Sequence, residues 1–365
     1  MSLPLTGLKV VAVEQAVAAP FATSRLADAG AEVIKIERPE GDFARGYDAA
    51  AAGQSSYFVW LNRGKTSVVM DLADPADKSR FTELVAGADV LVQNLKRGAL
   101  ARLGFAPEDL LARHPRLITC SITGYGEGGP LADRKAYDLL IQAESGLCSI
   151  TGGPSEPSRV GMSIVDVATG ATAHAAILEA LIARGITGRG ANISVSMFDV
   201  MADWLTVPLL NHEAGNSPKR VGMAHPSISP YGAFATADGQ LILISIQSDR
   251  EWRKLAEVFL GQPELGRDPR FATNVARVAN RAQTDAIVAD AFAALTAEEA
   301  EGRLLQADVA LARVNDMAGL STHPHLRRIT VQTPNGLVRY PAPAPVITGA
   351  ARDYRPVPAI GEAQP

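Results

Sequence analysis

Short apolar segments alternate with helical segments along the first 125 residues. The β-branched run LKVVAVEQ is followed by AAPFATSRLADAGA and then by the apolar run EVIKIERP. A proline near the start and a glycine near the end of the middle segment are typical of a helix. The runs KTSVVMDL, DVLVQNL and RLITCSITGYG repeat the strand pattern, with helical sequence between them. This alternation predicts an α/β fold with a parallel sheet, whose ligands bind beyond the carboxyl ends of the strands.

A polar connection, EAGNSPKRVGMAHPSISP, interrupts this pattern, and a chain of 365 residues is long enough for about two domains. Before the connection, residues 166–184 predict a long helix. After it, we expect a hairpin turned at Asp238–Gly239, helical sequence over about 249–318, and a second hairpin turned at Asn335–Gly336. A smaller domain of mixed helices and strands is therefore expected beyond the connection.

Charge and composition narrow the function classes. A formal net charge of −4 argues against nucleic-acid or membrane-surface partners. Cys120 and Cys148 lie in apolar surroundings without a CxxC motif, so two buried thiols are expected. The N-terminal residues do not resemble a signal peptide, and no apolar run is expected to reach membrane-spanning length. A cytoplasmic location is predicted.

Two cofactor classes have little support. Gly124, Gly126 and Gly129 satisfy G-x-G-x-x-G after a predicted strand, but Pro130 and a polar loop follow instead of a helix. Binding of NAD or a flavin is therefore not expected. The six histidines are scattered and show no metal-binding spacing, so no metal is expected either.

Asp166 is the most informative single residue, because it stands where the apolar run GMSIVDVATG turns into a helix. One interpretation is an N-cap, since aspartate satisfies the free amides of a helix N-terminus. The other is a nucleophile, kept ionised by the helix N-terminus and able to attack a thioester. The residue pattern leaves both open.

Basic residues recur at or just beyond predicted strand ends. They are Arg38, Lys96, Arg97, Arg102 and Lys135. Each alone is expected to be a solvated surface charge, but together at the ligand edge of a parallel sheet they could bind phosphates.

Ordered motifs over nearly the whole chain resemble the family III CoA-transferases. The opening GLKVVAVEQAVAAPFATSRLADAGAEVIKIERPEGDFAR is followed by SSYFVWLNRGKTSVVMDL, ADVLVQNLKRGALARLGF, PRLITCSITGYGEGGP, YDLLIQAESGLCSITGGP, GMSIVDVATG and PYGAFATADG. The resemblance implies a Rossmann-like large domain built from both chain ends, a smaller α+β domain, and an interlocked homodimer. The implied ranges are 1–200 with 319–365 for the large domain, 201–219 for a linker and 220–318 for the small domain.

The resemblance also implies site residues. Asp166 falls on the family's catalytic aspartate, with coenzyme A as co-substrate. The implied CoA-contacting positions are Val17, Arg38, Met70, Asp71, Leu72, Ala73, Asn94, Leu95, Lys96, Arg102, Lys135, Ala136, Tyr137 and Asp138.

Two departures bear on specificity. Val17 stands where a formyl-CoA enzyme of the family has glutamine, which argues against formyl or oxalate transfer. Tyr137 stands where related racemases have histidine, so a 2-methylacyl-CoA racemase, which needs two proton-transfer groups, ranks second. The segment KRVGMAHPSISPYGAF resembles the dicarboxylate branch, and Arg220 and His225 are candidates to hold a remote carboxylate.

The expected reaction is CoA transfer from an acyl-CoA, such as succinyl-CoA, to a small carboxylic acid. The acceptor expected from the resemblance is a dicarboxylate such as itaconate, mesaconate or glutarate. Asp166 would form an aspartyl-CoA thioester during the exchange. A non-catalytic CoA-binding protein is the third hypothesis, and turnover with any acid would exclude it.

Overall fold

Six parallel strands form one sheet in the computed structural model, which describes residues 3–349 and 352–363. The strands are β1 (Lys9–Val13), β2 (Glu32–Glu37), β3 (Lys65–Val69), β4 (Val90–Gln93), β5 (Ile118–Thr123) and β6 (Asn192–Ser196). Their order is β3-β2-β1-β4-β5-β6, so the direction of strand addition reverses between β1 and β4. The predicted α/β fold with a parallel sheet is confirmed, and this reversal is where ligands of Rossmann-like sheets bind.

Helices connect the strands and pack on the sheet. Up to residue 213 they are α1 (Ala18–Asp28), α2 (Ser56–Asn62), α3 (Pro75–Ala86), α4 (Ala99–Arg102), α5 (Pro107–Arg113), α6 (Asp138–Glu144), α7 (Leu147–Ile150), α8 (Ile164–Thr187), α9 (Met197–Trp204) and α10 (Thr206–Glu213). A short 3-10 turn covers Phe43–Gly46. The predicted long helix is α8, and it extends beyond both ends of the predicted range 166–184.

Helix α8 has the length and composition of a membrane span, contrary to the expectation that no apolar run would be long enough. A core helix of a soluble protein meets the same criterion. Val165, Ala173 and Ile177 of α8 are buried in one cluster with Val10 of β1 and Val90 of β4. One face of α8 therefore lies in the core of this unit, which accounts for part of its apolar character.

Helices α1 and α8 approach each other most closely at Gly170. A Cβ atom on Gly170 would lie 2.4 Å from the carbonyl oxygen of Ala18 and 2.8 Å from Cβ of Phe21. No side chain fits at that separation, so glycine sets the distance between the two helices. The beginning of α1 is thereby held one helical turn from Asp166.

Buried ion pairs lie beneath the loop that follows β1. Lys65 Nζ lies 2.6 Å from Glu14 Oε1, and Lys35 Nζ lies 2.8 Å from Asp42 Oδ2, with all four side chains fully buried or nearly so. Asp42 Oδ1 also accepts a hydrogen bond of 3.1 Å from the backbone of Ala16, whose φ is +64°. Left-handed backbone is unfavourable for alanine, so these contacts hold the loop in its conformation.

The chain divides into two compact units. One comprises the residues up to Cys148, Arg159–Leu210 and the residues from Arg327, and the second comprises Ser149–Ser158 and Asn211–Leu326. The predicted division placed residues 149–158 and 319–326 in the large domain, whereas both belong to the second unit. The predicted linker, 201–219, is divided between the two units. Within the second unit, Arg220 holds the segment 149–158 by donating hydrogen bonds to the carbonyls of Gly153 and Ser149.

The second unit contains an antiparallel sheet in the order β7-β8-β9. Its elements are β7 (Tyr231–Ala235), β8 (Leu241–Ser245), α11 (Asp249–Lys254), a π-helical turn (Leu255–Phe259), a 3-10 turn (Pro263–Gly266), α12 (Asn274–Ala279), α13 (Arg281–Ala293), α14 (Ala297–Gln306), β9 (Ala310–Arg313) and α15 (Met317–Thr322). The predicted hairpin is confirmed. The prediction of helical sequence throughout 249–318 is wrong at β9, because pairing with β8 overrides the helix propensity of its sequence, ALAR.

The C-terminal hairpin belongs to the first unit and consists of β10 (Arg328–Thr333) and β11 (Gly336–Pro341). Thr333 pairs with Gly336, so the connecting residues are Pro334 and Asn335. The hairpin prediction is confirmed, but its turn lies one residue earlier than predicted. Gly336 adopts φ +126°, which a side chain would disfavour.

We expect Gly170→Ala to destabilise the protein by roughly 1–3 kcal/mol, because its methyl group must displace α1. Gly185→Ala, in the same helix with no atom within 4 Å of its added Cβ, is the matched control. Glycine is a poor helix former, so this control should gain roughly 0.5–1 kcal/mol. Thermal unfolding measures both, and similar effects of the two substitutions would contradict the close helix crossing.

Candidate active site

A cavity of about 660 Å³, here called the first cavity, lies at the reversal point of the parallel sheet. Its walls come from the loops after β1, β4 and β5, including Gln15, Asn94 and Gly124. Gln15 and Asn94 join the loops after β1 and β4 through two reciprocal hydrogen bonds, of 2.9 and 2.8 Å. A volume of this size is typical of a small-molecule or cofactor site.

Asp166 lines this cavity from the first turn of α8, where it is the third helical residue. The N-cap position is Ser163, whose side chain makes no capping hydrogen bond. The N-cap interpretation of Asp166 is therefore wrong. Asp138 caps the helix instead, because its Oδ1 accepts hydrogen bonds of 2.8 Å from the amide of Val165 and 3.1 Å from the amide of Asp166.

The carboxylate of Asp166 makes no hydrogen bond or ion pair with the residues described, 3–349 and 352–363. Burial, and secondarily the negative charge of Asp138, raise the pKa of Asp166 to about 7. Helix N-termini favour the charged form, but at this site desolvation outweighs that effect. Asp166 therefore titrates in the neutral range, in an environment that solvates its charge poorly. Such a carboxylate is suited to nucleophilic attack.

Gln142 fixes the orientation of Asp138. This glutamine is fully buried, and its Nε2 donates a hydrogen bond of 2.6 Å to Asp138 Oδ2. Its Oε1 accepts a hydrogen bond of 2.9 Å from the amide of Val160. One oxygen of Asp138 therefore bonds to α6 and the other to α8, which holds both helix ends at the cavity.

Aromatic side chains that carried no predicted role form another wall of the first cavity. Tyr47 and Tyr57 meet edge to face with ring centroids 5.6 Å apart, and the Tyr57 hydroxyl lies 3.1 Å from Ser163 Oγ. Burial, together with the charges of Asp42 and Asp166, raises the pKa of Tyr47 to about 12. Ser55 is the sequence signal that could have indicated part of this wall, because serine is a typical N-cap and the helix that it caps, SYFVWLN, contains Tyr57.

Gly124 has a packing function here. An added Cβ would lie 2.3 Å from Cβ of Ala136, so only glycine lets the segment 135–138 approach the end of β5. That approach brings Lys135, Tyr137 and Asp138 into the cavity wall. Among residues 3–349 and 352–363, no group of three or more His, Cys, Asp or Glu is arranged to hold a metal ion.

The structure brings most of the predicted CoA-contacting residues to two adjoining cavities. The first cavity is lined by Val17, Asn94, Leu95, Lys96, Lys135, Ala136, Tyr137 and Asp138, together with Asp166. A smaller cavity of about 280 Å³ is lined by Arg38, Met70, Asp71, Leu72, Ala73 and again Leu95. Arg102 ends α4 and lines neither cavity. Because Gln15 and Leu95 belong to both cavities, one extended ligand could occupy the two together.

The two predicted substrate residues lie in the second unit. All three guanidinium nitrogens of Arg220 donate to backbone carbonyls, those of Gly153, Ser149 and Pro154. His225 stacks on Tyr231 with ring centroids 5.1 Å apart. These contacts explain both side chains as supports of their own unit, and carboxylate binding by either one remains a prediction.

The chain matches the family described as CoA-transferase family III over residues 5–364. A Rossmann-like sheet with a cavity at its reversal point and a free carboxylate in that cavity defines a small-molecule enzyme. The chain belongs to CoA-transferase family III and is a CoA-transferase, as the ordered motifs predicted.

Relatives and a solved structure agree with this assignment over both units. The succinate–glutarate CoA-transferase of Agrobacterium fabrum is 36% identical over a match of 377 positions, which covers 99% of this chain and 94% of the relative. The acetyl-CoA:oxalate CoA-transferase of Acetobacter aceti is 38% identical over 350 residues, or 95% of this chain and 90% of the relative. A CAIB/BAIF family protein from Brucella suis superposes with a TM-score of 0.86 at 36% identity, covering 99% of this chain and 97% of that one.

We expect Asp166→Asn to stabilise the protein more at pH 8 than at pH 4. The folded-state pKa of Asp166 is about 7, above the ordinary value of 3.8, so between these values the folded state binds more protons than the unfolded state. The free energy of unfolding contributed by Asp166 therefore falls as pH rises from about 4 to about 7. Asparagine does not titrate and avoids that loss.

Denaturant unfolding at several pH values measures this difference. Asp203→Asn, which removes an exposed carboxylate on α9, is the control for loss of one charge. A gap between Asp166→Asn and the parent protein that does not change with pH would contradict the raised pKa.

Proposed function

We propose that the protein transfers CoA from an acyl-CoA to a small dicarboxylic acid, with Asp166 as the nucleophile. The observation that carries this proposal is the free Asp166 carboxylate in the first cavity, left without a partner because Asp138 caps α8 in its place. A carboxylate held in this way can form acyl bonds with both reactants in turn.

The exchange proceeds through four acyl transfers. The Asp166 carboxylate attacks the thioester carbonyl of the donor and expels CoA thiolate, giving a mixed anhydride. The thiolate attacks the aspartyl carbonyl, which releases the donor acid and leaves an aspartyl-CoA thioester. The acceptor carboxylate attacks that thioester, giving a second anhydride and thiolate. Attack of the thiolate on the acceptor carbonyl gives the new acyl-CoA and restores Asp166.

The remaining residues of the two cavities bind and position CoA in this proposal. Lys96 and Lys135 line the first cavity and supply positive charge for phosphate groups, which favour charge-assisted hydrogen bonds. The smaller cavity has apolar wall residues such as Met70 and Leu72, next to Arg38. This combination suits the adenosine end of CoA, while the pantetheine arm extends past Leu95 towards Asp166.

A dicarboxylic acceptor such as glutarate, mesaconate or itaconate, with succinyl-CoA as a donor, is the substrate class we propose. The relatives from Agrobacterium fabrum and Acetobacter aceti are named for succinate, glutarate and oxalate, which are all dicarboxylates. Val17, in place of the glutamine of a formyl-CoA enzyme, favours the larger acids over oxalate.

The interlocked homodimer and the cytoplasmic location remain proposals from the family resemblance. Exposed apolar side chains on α8, α9 and α10 support self-association, because Ile182, Ile186, Trp204 and Val207 are all more than half exposed. A solution mass of one 38.4-kDa chain would contradict the dimer.

We expect Asp166→Asn to abolish CoA exchange between succinyl-CoA and glutarate, because an amide cannot form the anhydride. Mass spectrometry of the parent enzyme, incubated with succinyl-CoA and trapped with hydroxylamine, should locate the modification on Asp166. Asp203→Asn should exchange CoA as the parent does. Trapping at another residue would contradict the nucleophile, and uptake of deuterium at the α-carbon without any acceptor acid would indicate a racemase instead.

We expect Asp138→Asn to move the acidic limb of the pH profile of kcat/KM to lower pH. Asparagine keeps an oxygen that can cap α8, and it gives up the hydrogen bond from Gln142 Nε2. It removes the negative charge that helps to raise the pKa of Asp166. The limb should stay above the ordinary range of aspartate, because burial is the larger cause. A limb that stays in place or moves to higher pH would contradict this coupling.

A further inference from the structure

Beside the first cavity lies a second, apolar cavity of about 520 Å³ that has no role in the reaction described so far. Its walls come from α2, from the first turn of α8 and from β11, and they include Val59, Trp60, Val167 and Val338. Its size is sufficient for a short acyl group with several methylene carbons.

The two cavities share a wall. Tyr57 and Ser163 line both of them, and their hydroxyl oxygens are 3.1 Å apart. Asp166 lines the first cavity, while the next residue, Val167, lines the apolar one. An acyl group that reacts at Asp166 can therefore extend past this wall into the apolar cavity, which neither Lys96 nor Lys135 lines.

One charged residue lines the apolar cavity within the described part of the chain, and it is Arg339 of β11. Arg339 is exposed and takes part in none of the ion pairs formed by the residues described. A guanidinium remains positive at every working pH and binds carboxylates through paired hydrogen bonds. Water solvates this exposed charge, and a second carboxylate of the acyl group would add a charge-assisted hydrogen bond that a hydrocarbon chain cannot make.

We infer that the apolar cavity binds the remote half of a dicarboxylic acyl group, and that Arg339 recognises its far carboxylate. This inference rests on the proposed function and names a specificity-determining residue for it. The methylene carbons of the acid pack against Val59, Trp60 and Val167. Arg339 takes the role that the sequence suggested for Arg220, whose guanidinium is already bonded to three carbonyls of its own unit.

The test compares a dicarboxylate with a monocarboxylate of the same chain length, glutarate with pentanoate, as acceptors of CoA from succinyl-CoA. Arg339→Met should raise KM for glutarate at least roughly tenfold, as loss of a charged hydrogen bond requires. KM for pentanoate should stay the same or fall, and kcat should change little. Arg339→Lys, which keeps the charge, should restore part of the preference for glutarate.

Two further variants, Arg189→Met and Arg220→Met, are measured with the same two acids for comparison with Arg339→Met. Arg189 is exposed near the end of α8 and lines neither cavity, so its replacement controls for the loss of one positive charge. An equal effect of Arg339→Met on both acids would overturn the inference, and so would loss of the glutarate preference in Arg220→Met but not in Arg339→Met. Absence of transfer to any acid by the parent enzyme would instead overturn the proposed function.

A second variant tests the cavity independently of charge. Ala50 is exposed and lines the apolar cavity, so Ala50→Trp should fill it without disturbing the buried core. KM for glutarate and longer dicarboxylates should rise severalfold, while oxalate, which is too short to reach the cavity, should be unaffected. An unchanged KM for every chain length would show that the acyl group lies elsewhere.

Discussion

The hydrogen bonds from the first turn of α8 to Asp138 determine which carboxylate at this helix end is left unpaired. Free amides at a helix N-terminus need an acceptor, and Ser163 at the N-cap position of α8 does not supply one. Asp138, held by the buried Gln142, fills that need from a different helix. Asp166 is consequently left without a partner among the described residues, and its burial beside a second negative charge raises its pKa above that of an ordinary aspartate.

The buried charges beneath the loop after β1 fix the geometry of another part of the first cavity. Lys35, Lys65, Glu14 and Asp42 neutralise one another, and Asp42 also bonds to the left-handed Ala16 at the edge of the first cavity. Removing one member of a buried pair typically costs about 3–5 kcal/mol, because the other charge loses its partner. The loop after β1 is therefore held in place by interactions that do not involve the ligand.

Local sequence patterns predicted those features of the structure that depend on residues close together in the chain. The alternation of strands and helices indicated the parallel sheet, and the motifs directed attention to Asp166. The prediction of a helix for the sequence ALAR at β9 was wrong, because pairing with β8 determines its conformation. Asp138 lies 27 residues from the nearer of the two amides that donate to it, so this cap has no local signature. The tyrosine wall combines a 3-10 turn with a short helix, and the Ser55 cap is its one local signal. The raised pKa of Asp166 depends on burial, which no single sequence shows.

The boundary between the first and the apolar cavities consists of two hydroxyl-bearing side chains, Tyr57 and Ser163. Neither belongs to the buried ion pairs that hold the loop after β1. Under the proposed function, changes at these two positions would alter the passage between the cavities without replacing Asp166. Enzymes descended from one ancestor could in this way acquire preferences for different acids through substitutions at this boundary, while the reacting residues are conserved.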